Sequence, residues 1–344
     1  MIRLTTSLAV TLRGTYSFYV PANRADRILA CSEIADAVVV SGAAGPQTVR
    51  RLRAEGWQGA ALFDRAAYVG AVDTLDIDGW FDEQRNAGAD RLLTPGCFVG
   101  SGSGHAPFAV QIEAEASVAR EYGAACVLAI DYRWLTNPAQ HDEMLREFET
   151  IGLPVALVLA DRADPLGHPG AVDALVALTR RIDQLSVLRV DHGGIGALAF
   201  DAAHASIGLS TTYRHAVPPD VTAQAIPHDQ TARVFVLDLM DWFAGSTIGG
   251  WSTVRVADRC KYSCCQGQRI DRFLDVRRKS EADIHNRTVL AVLAEEILSI
   301  PDPADRRRAF GRRCFAAVEH YGIMGGLTSE IKPKFQLQQW AQYA

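Results

Sequence analysis

The sequence predicts an α/β protein built around a (β/α)₈ TIM barrel, and two observations carry this prediction. Between residues 36 and 242, short apolar runs alternate with amphipathic stretches, the pattern typical of parallel strands joined by crossover helices. The length of 344 residues suits one large barrel with an appended subdomain. We therefore predict a barrel with an N-terminal strand extension over residues 1–250 and a separate C-terminal subdomain over residues 251–344.

The strands are predicted from apolar runs that end in turn residues or carboxylates. Eight runs meet this description, at residues 36–42, 59–64, 91–96, 125–131, 153–161, 186–194, 205–210 and 233–241. The first twenty residues are predicted to form an opening strand pair ahead of this series. Eight strands in parallel order are the number that closes a TIM barrel.

The helices are predicted from apolar residues at helical spacing between these runs. The clearest are residues 46–56, 111–123, 141–152 and 170–183, and most of them end at a glycine, as helices commonly do. After residue 250 the strand pattern stops, and residues 284–300 predict a long helix that ends before Pro301. The remaining chain is predicted to be helical to about Tyr321 and then to form a polar tail.

Composition narrows the class of protein. Hydrophobic residues make up 48% of the chain and charged residues 22%, and no apolar run reaches the roughly 18 residues that span a membrane. Residues 1–20 contain no signal-peptide cleavage pattern, so we expect a cytoplasmic protein with no membrane partner. The net charge is −5, yet basic residues crowd positions 255–279 and 306–313. These basic residues are either solvated helix faces or a surface that contacts phosphates.

Several predicted strands end in an aspartate. The residues are Asp64, Asp131, Asp161, Asp191, Asp238 and Asp241. An aspartate after a strand commonly caps the next helix or turn. Because active sites of such barrels are built at the C-terminal strand ends, aspartates that converge there would instead supply acid and base groups.

A cysteine cluster after residue 250 predicts a metal site. Cys260, Cys264 and Cys265 fall within six residues, and His285 follows on the predicted long helix. Thiolates and one imidazole complete the closed tetrahedral shell of structural zinc sites. We therefore predict structural Zn²⁺ in a C-terminal zinc-binding subdomain.

The metal segment resembles that of the tRNA-guanine transglycosylase superfamily, and in particular its divergent members that act on DNA. The family pattern is Cys-x-Cys-x-x-Cys followed by His-Asn; here Cys260 and Cys265 keep the outer spacing, and His285 precedes Asn286. Tyr262 stands at the middle cysteine, so Cys264 would substitute. The resemblance implies a barrel enzyme that exchanges guanine in a nucleic acid for a 7-deazaguanine base.

The resemblance also implies a base-binding site. Asp64 and Tyr68 keep the separation of the family's general-base motif, so Asp64 would manage protons and Tyr68 would stack on the base. Asp131 is similar to the carboxylate that accepts hydrogen bonds from guanine. Gly193 and Gly194 are similar to the glycine pair whose backbone meets the base. The two glycines of the family's general-base motif and a glutamine used in base recognition are absent here.

The resemblance places the nucleophile in the last predicted strand. Residues 237–242 match the family's Ile-Asp-Met-Phe-Asp-Cys in pattern, so Asp241 would attack the ribose C1′ and Asp238 would help bind substrate. A carboxylate suits an oxocarbenium-like transition state, as in retaining glycosidases. The Pro-Thr-Arg that follows in the family is absent.

Three alternatives remain open from the sequence. The same exchange could act on tRNA rather than DNA, because contacts to a 2′-hydroxyl have no sequence signature. The chain could instead be a catalytically inactive nucleic-acid-binding partner of a separate transglycosylase subunit. It could also be a metal-dependent barrel hydrolase or lyase with a metal held by His105, Asp191, His192 or His215. A homodimer is possible in each case.

Overall fold

The computed structural model describes residues 13–70, 75–219, 221, 229–251, 259–325 and 331–344. Its centre is an eight-stranded, all-parallel sheet in the order β3-β2-β1-β8-β7-β6-β5-β4. Because β1 pairs with both β2 and β8, this order runs around a ring and the predicted TIM barrel is confirmed. The strands are β1 Thr15–Pro21, β2 Ala37–Ser41, β3 Ala61–Asp64, β4 Cys97–Val99, β5 Cys126–Asp131, β6 Val155–Ala160, β7 Leu185–Val190 and β8 His204–Gly208.

Helices follow most barrel strands, and a further group lies after the barrel. Their bounds are α1 Ala25–Ser32, α2 Gly45–Ala54, α3 Ile77–Asn86, α4 Phe108–Tyr122, α5 Arg133–Thr136, α6 Pro138–Ile151, α7 Ala171–Arg181, α8 Gly193–Ala199, α9 Gly245–Gly250, α10 Lys279–Leu298, α11 Pro303–Gly325 and α12 Phe335–Ala341. No helix in the described part of the chain is long and apolar enough to cross a membrane.

The barrel begins one strand earlier than the sequence predicts. β1 is the first barrel strand, and its register with β8 runs from Thr15 opposite His204 to Tyr19 opposite Gly208. The predicted opening strand pair is therefore wrong for residues 15–20, while residues 1–12 lie outside the described residues. Since β1 occupies the position beside β8, the segment at 233–241 has no place in the sheet.

That segment forms a hairpin outside the barrel. Residues Arg233–Val236 form β9, which pairs antiparallel with β10, residues Asp241–Ala244. A 3₁₀ turn over Leu237–Leu239 reverses the chain, with Met240 in the left-handed region at φ 48°. The prediction of one continuous barrel strand is wrong because this apolar run contains a turn that lacks glycine and proline.

The ring has a seam between β3 and β4, since no ladder joins these two strands among the described residues. The predicted strand at 91–96 is reduced to a single bridge from Leu93 to Ala125. Pro95 has no N–H to donate. The buried side chain of Gln84 accepts from the Leu93 N–H at 3.0 Å and donates to its carbonyl at 2.9 Å. A side-chain amide therefore stands where a neighbouring strand would pair.

The C-terminal residues pack against the barrel. The predicted polar tail is wrong: α12 buries Gln336, Leu337, Gln339 and Trp340. Trp340 packs edge-on against Phe310 of α11 and against Phe200 after α8. We call residues 331–344 the C-terminal strap. Its two buried glutamines have polar partners in the barrel loops, so a polar sequence forms an ordered helix.

Candidate active site and metal centre

The structure brings the four predicted metal ligands together. The Sγ of Cys264 lies 4.0 Å from that of Cys260 and 3.6 Å from that of Cys265. The Nδ1 of His285 lies 3.6, 3.8 and 3.3 Å from the sulfurs of Cys260, Cys264 and Cys265. A tetrahedral ion with metal–sulfur bonds of about 2.3 Å separates its sulfurs by about 3.8 Å, so the site fits such an ion.

Local turns aim the adjacent cysteines at one point. Cys264 and Cys265 lie in a 3₁₀ turn over Ser263–Cys265, followed by Gln266 in the left-handed region. Gly267 has φ 73°, a conformation that glycine adopts without strain. The Cys260 N–H donates to the Gln268 carbonyl at 3.0 Å and closes the loop. This loop is the tight turn that two neighbouring ligands require.

His285 is held in the tautomer that a metal needs. Its Nε2 lies 3.1 Å from the Phe235 carbonyl of β9. Because a carbonyl only accepts, Nε2 carries the proton and Nδ1 presents its lone pair to the three sulfurs. Arg272 donates to the Cys265 sulfur at 3.0 Å and offsets the charge of the thiolates. These residues could hold a metal ion.

The residue after the ligand ties the metal centre to the hairpin. Asn286 is 1% exposed. Its Oδ1 accepts from the Phe235 N–H at 2.8 Å, and its Nδ2 donates to the Arg233 carbonyl at 2.8 Å. Since β9 pairs with β10, and Val236 lies opposite Asp241, the metal centre supports the strand that carries Asp241.

Asp241 lies buried at the start of β10, with 5% of its surface exposed. Its Oδ1 accepts from the Trp242 N–H at 2.6 Å and forms an ion pair with Lys334 Nζ at 2.5 Å. Among the described residues, its Oδ2 has one hydrogen-bond donor, the Tyr321 hydroxyl, at a long distance of 3.3 Å. One carboxylate oxygen is therefore firmly held, and the other has one weak partner.

Lys334 and Gln336 of the C-terminal strap join Asp241 to the barrel mouth. Gln336 Nε2 donates at 2.7 Å both to Asp191, which follows β7, and to Asp164 in the loop after β6. We call Asp164, Asp191, Asp241 and Lys334 the carboxylate–lysine cluster. Asp241 thus lies beside the C-terminal strand ends although its own strand is outside the barrel.

Burial and mutual repulsion shape the charges of this cluster. Burial, together with the neighbouring Asp191, raises the pKa of Asp164 to about 7. Burial opposes the charge of Lys334, but Asp241 and Asp191 outweigh it and raise the pKa of the lysine. Burial lowers the pKa of His192, so this imidazole is neutral near pH 7. Lys334 contacts Asp241 directly, and the charges of Asp191 and Asp164 also favour its protonated form.

A second buried group surrounds Asp64 at the end of β3. The hydroxyls of Tyr19 and Tyr68 each donate to Asp64 Oδ2 at 2.6 Å, and the Ala66 N–H donates to Oδ1 at 2.8 Å. Burial, then the charge of Asp64, raises the pKa of both tyrosines, so both remain protonated. Asp64 is 0% exposed, and the two tyrosines that bind its Oδ2 are buried as well.

Arg189 completes this second group, and its position is not visible in the sequence. Strand alternation places Leu188 inside the barrel, as observed, and would place Arg189 outside. A register shift between Val187 and Val190, with Arg189 at φ 52°, turns the arginine inward instead. Its guanidinium lies 5.9 Å from the ring centroid of Tyr68.

Several predicted site residues turn out to have structural partners. Asp131 accepts from the Arg133 N–H at 2.9 Å, and Asp191 accepts from the Gly193 N–H at 2.8 Å, the capping bonds that an aspartate after a strand commonly makes. A Cβ on Gly194 would lie 2.6 Å from the Val190 side chain. The glycine pair therefore permits close packing of α8 and is fully buried.

Asp238 does not join the cluster. Its side chain is 56% exposed in the hairpin turn, 3.9 Å from Arg313. It lines a cavity of about 270 Å³ beside the metal centre, together with Lys261, Tyr262 and His320. Tyr68 is 3% exposed and offers no free face for stacking in this conformation.

Several arginines at positions 255–279 and 306–313 form ion pairs with carboxylates. Ion pairs join arginines of this region to nearby carboxylates: Arg269 to Asp271, Arg272 to Glu281, Arg277 to Asp275, Arg278 to Glu281, Arg307 to Asp201 and Arg308 to Asp305. Arg255 lies outside the described residues. For these residues the structure favours solvated helix faces over a uniform phosphate-binding surface.

Sequence reasoning missed Lys334, Gln336, Tyr19, Arg189, Asp164 and Tyr321. Asp164 had a weak signal, since it follows a strand end in a loop. For Lys334 and Gln336 the sequence contains no signal, because they are polar residues in what reads as a polar tail.

No family model and no curated protein matches this chain. Among solved structures, similar folds include a mutant tryptophan synthase alpha-subunit from Pyrococcus furiosus, with 14% identity, a TM-score of 0.38 and coverage of 58% of this chain and 88% of that one. A tryptophan synthase from M. tuberculosis has 11% identity and a TM-score of 0.36, and the match covers 58% of this chain and 84% of that one. Phosphoribosyl anthranilate isomerase from Thermococcus kodakaraensis has 14% identity and a TM-score of 0.31, and the match covers 58% of this chain and 92% of that one. At these TM-scores the likeness carries no argument, and the barrel rests on its own strand pairing.

Proposed function

We propose that this chain is an enzyme of the pentosyltransferase class that exchanges guanine in a nucleic acid for a 7-deazaguanine base. One observation carries the proposal: a buried carboxylate, Asp241, has one oxygen fixed by a cation and the other weakly engaged, at the mouth of a barrel. Such an arrangement suits a nucleophile that attacks the ribose C1′. The resemblance of the metal segment and of residues 237–242 to transglycosylases supports the same assignment.

In the proposed reaction, an Asp241 oxygen forms a bond to C1′ while the bond from C1′ to the guanine nitrogen breaks. The electron pair leaves with guanine, which takes up a proton. The incoming base then loses its N–H proton and forms its own bond to C1′, and the carboxylate departs. Asp64 exchanges these protons through the hydroxyl of Tyr68 or Tyr19, since both hydroxyls bind its Oδ2.

The metal in this proposal is structural zinc. Three thiolates and one imidazole are the donor set of closed zinc sites, and all four ligand atoms lie within 4.8 Å of one another. When bound, zinc supplies cross-linking energy rather than an open coordination position. The ligand His285 binds the Phe235 carbonyl of β9, so the metal centre holds β9 and, through strand pairing, β10.

A catalytic metal at the mouth of the barrel, which the hydrolase or lyase alternative would need, has less support than the Cys₃His site. Within the described ranges, the Cys₃His set is the group of His, Cys, Asp and Glu residues whose ligand atoms converge. Asp191 instead accepts from Gln336 and the Gly193 N–H, and the Nδ1 of His192 lies 3.7 Å from an Asp191 oxygen. The choice between DNA and tRNA and the possibility of an inactive partner subunit are decided by assay.

The test offers radiolabelled guanine to the metal-loaded protein with duplex DNA and tRNA in parallel. We expect label in DNA with the wild type and none with Asp241→Asn. Asp305→Asn is the control, because it removes an exposed carboxylate of α11 that lies outside the carboxylate–lysine cluster, and it is expected to retain exchange. Label in tRNA alone transfers the proposal to that polymer. Label in neither, with folded and metal-loaded protein, overturns the proposal and directs the work to the partner-subunit alternative.

A further inference from the structure

The C-terminal strap is anchored in a way that fixes the position of Lys334. Two residues after the lysine, Gln336 binds Asp164 and Asp191. Gln339 donates to the carbonyls of Leu166 and His168 at 3.0 and 3.1 Å. Trp340 is 0% exposed. The strap is therefore attached to the loop after β6 on one side and to the core on the other.

From this position Lys334 approaches one atom of Asp241. Its Nζ lies 2.5 Å from Oδ1, the same oxygen that accepts from the Trp242 N–H at 2.6 Å. The Asp241 side chain is 7% exposed and that of Lys334 38% exposed. The lysine thus reaches inward from the rim and leaves Oδ2 directed away from its charge.

The ionisable groups that face this ion pair come from four parts of the chain. They are Asp191 and His192 after β7, Asp164 after β6, Arg214 after β8 and Tyr321 of α11. Arg214 stacks on Trp242, with its Cζ 3.4 Å from the ring centroid, and donates toward the Gly208 and Leu209 carbonyls. Lys334 is the cation in direct contact with the carboxylate of Asp241.

We propose that Lys334 is the positioning residue of the exchange reaction, holding Asp241 Oδ1 so that Oδ2 attacks C1′, and stabilising the carboxylate when it departs. The inference rests on the proposed function. When the bond between Asp241 and C1′ breaks, the electron pair returns to the carboxylate beside the ammonium of Lys334. The proton lost by the incoming base goes to the Asp64 group, so Lys334 keeps its own proton throughout.

This role differs from a purely structural one in what it predicts. A structural lysine would change stability alone when replaced. A lysine that holds the nucleophile also affects the chemical steps, because its ammonium lies 2.5 Å from the carboxylate oxygen that it orients. Its loss would also slow departure of the carboxylate, so the covalent adduct would persist.

The test compares Lys334→Gln, Lys334→Arg and the matched control Lys332→Gln, which removes an exposed lysine from the same strap. We expect Lys334→Gln to lower the rate of label exchange on the order of 10²-fold, as removal of one charge-stabilising donor commonly does. Denaturing gels of Lys334→Gln should show more protein–nucleic acid adduct. Lys334→Arg should recover part of the rate, and Lys332→Gln should behave as the wild type.

A second measurement does not depend on activity. Carbodiimide coupling of a small amine to carboxylates, read by mass spectrometry, should modify Asp241 several-fold faster in Lys334→Gln than in the wild type or Lys332→Gln. Equal modification in all three, with unchanged melting temperatures, would refute the ion pair itself. If coupling behaves as expected but the wild type exchanges no base, the proposed function fails and the contact stands. If Lys334→Gln exchanges the base at the wild-type rate and accumulates no extra adduct, the inference about Lys334 is overturned while the proposed function stands.

Discussion

The metal centre and the carboxylate–lysine cluster are both buried sets of like-charged groups, and they are stabilised in opposite ways. Cys260, Cys264 and Cys265 converge on one point within 4.8 Å together with His285, an arrangement that an external cation completes. Asp241 and its neighbours instead surround a cation from the chain itself, Lys334. An ion that bonds all its ligands locks them in place, whereas a lysine can release an oxygen. The comparison indicates that the first site holds the structure and the second is available for chemistry.

The largest expected effect is the loss of the metal centre. We predict that His285→Ala abolishes stoichiometric metal binding and lowers the free energy of unfolding by several kcal/mol, because structural zinc contributes about 10–16 kcal/mol of binding energy in small peptides. Metal analysis and calorimetry of the purified variant measure both. His320→Ala, which changes a histidine lining the neighbouring cavity, is the control. Full metal content in His285→Ala would remove this residue from the ligand set.

A smaller effect is expected where the metal centre meets the hairpin. We predict that Asn286→Ala lowers stability and base exchange while metal content stays intact, because it leaves the Phe235 N–H and the Arg233 carbonyl without their partner. Each buried unpaired group costs about 1–3 kcal/mol. Urea unfolding and metal analysis test this, with Thr288→Ala on the same helix as control. Loss of metal in Asn286→Ala would show that the two functions of the His-Asn pair are not separable.

Within the carboxylate–lysine cluster, the strap glutamine is the next test. We predict that Gln336→Leu lowers the free energy of unfolding by about 2 kcal/mol, because it removes two hydrogen bonds to carboxylates, each of 2.7 Å. Gln338→Leu, an exposed position on the same helix, should change it little. Comparable losses in both variants would mean that the strap is stabilised by α12 packing rather than by the cluster.

The smallest expected effect concerns His204, a buried histidine at the start of β8. Burial, with a smaller contribution from Arg91, lowers the pKa of His204 to about 4, below the ordinary value of 6.5. Between these values the unfolded chain binds a proton that the folded chain does not, so stability falls as the pH falls through this window. We predict that His204→Leu weakens this dependence by up to about 1.4 kcal/mol per pH unit. Unfolding curves between about pH 7 and pH 5 measure it, with His105→Gln as control; an unchanged slope would contradict the prediction.

The sequence predicted the features that depend on nearby residues. Cys260 to His285 form one short segment, so their spacing alone indicated a metal site, and six of the eight expected strand runs overlap barrel strands, while the run at 91–96 ends just before β4. It failed at β9, because the 3₁₀ turn in residues 233–241 contains neither glycine nor proline. The eighth barrel strand is β1 instead.

The rest of the candidate site depends on contacts between distant parts of the chain. Lys334 and Asp241 meet because α12 packs on the loop after β6, and residue spacing cannot reveal that. Arg189 points inward because of a bulge, which breaks the alternation on which strand prediction relies. Tyr19 lies in the site because β1 is a barrel strand, which the sequence did not predict.

The seam between β3 and β4 makes this barrel a split ring. Across the gap, the Asp90 side chain accepts from the Ala61 N–H, the Asp90 N–H donates to the Ala61 carbonyl, and the Ala67 N–H donates to the Pro95 carbonyl, where a closed barrel has a continuous ladder. Spreading the ring here therefore breaks fewer main-chain hydrogen bonds than separating a paired strand would. Asp64 lies at the end of one lip of the split, sealed by Tyr19 and Tyr68. Spreading of the lips would unseal it, and we expect the Ala61 and Leu93 amide hydrogens to exchange with solvent ahead of those in β5 to β8.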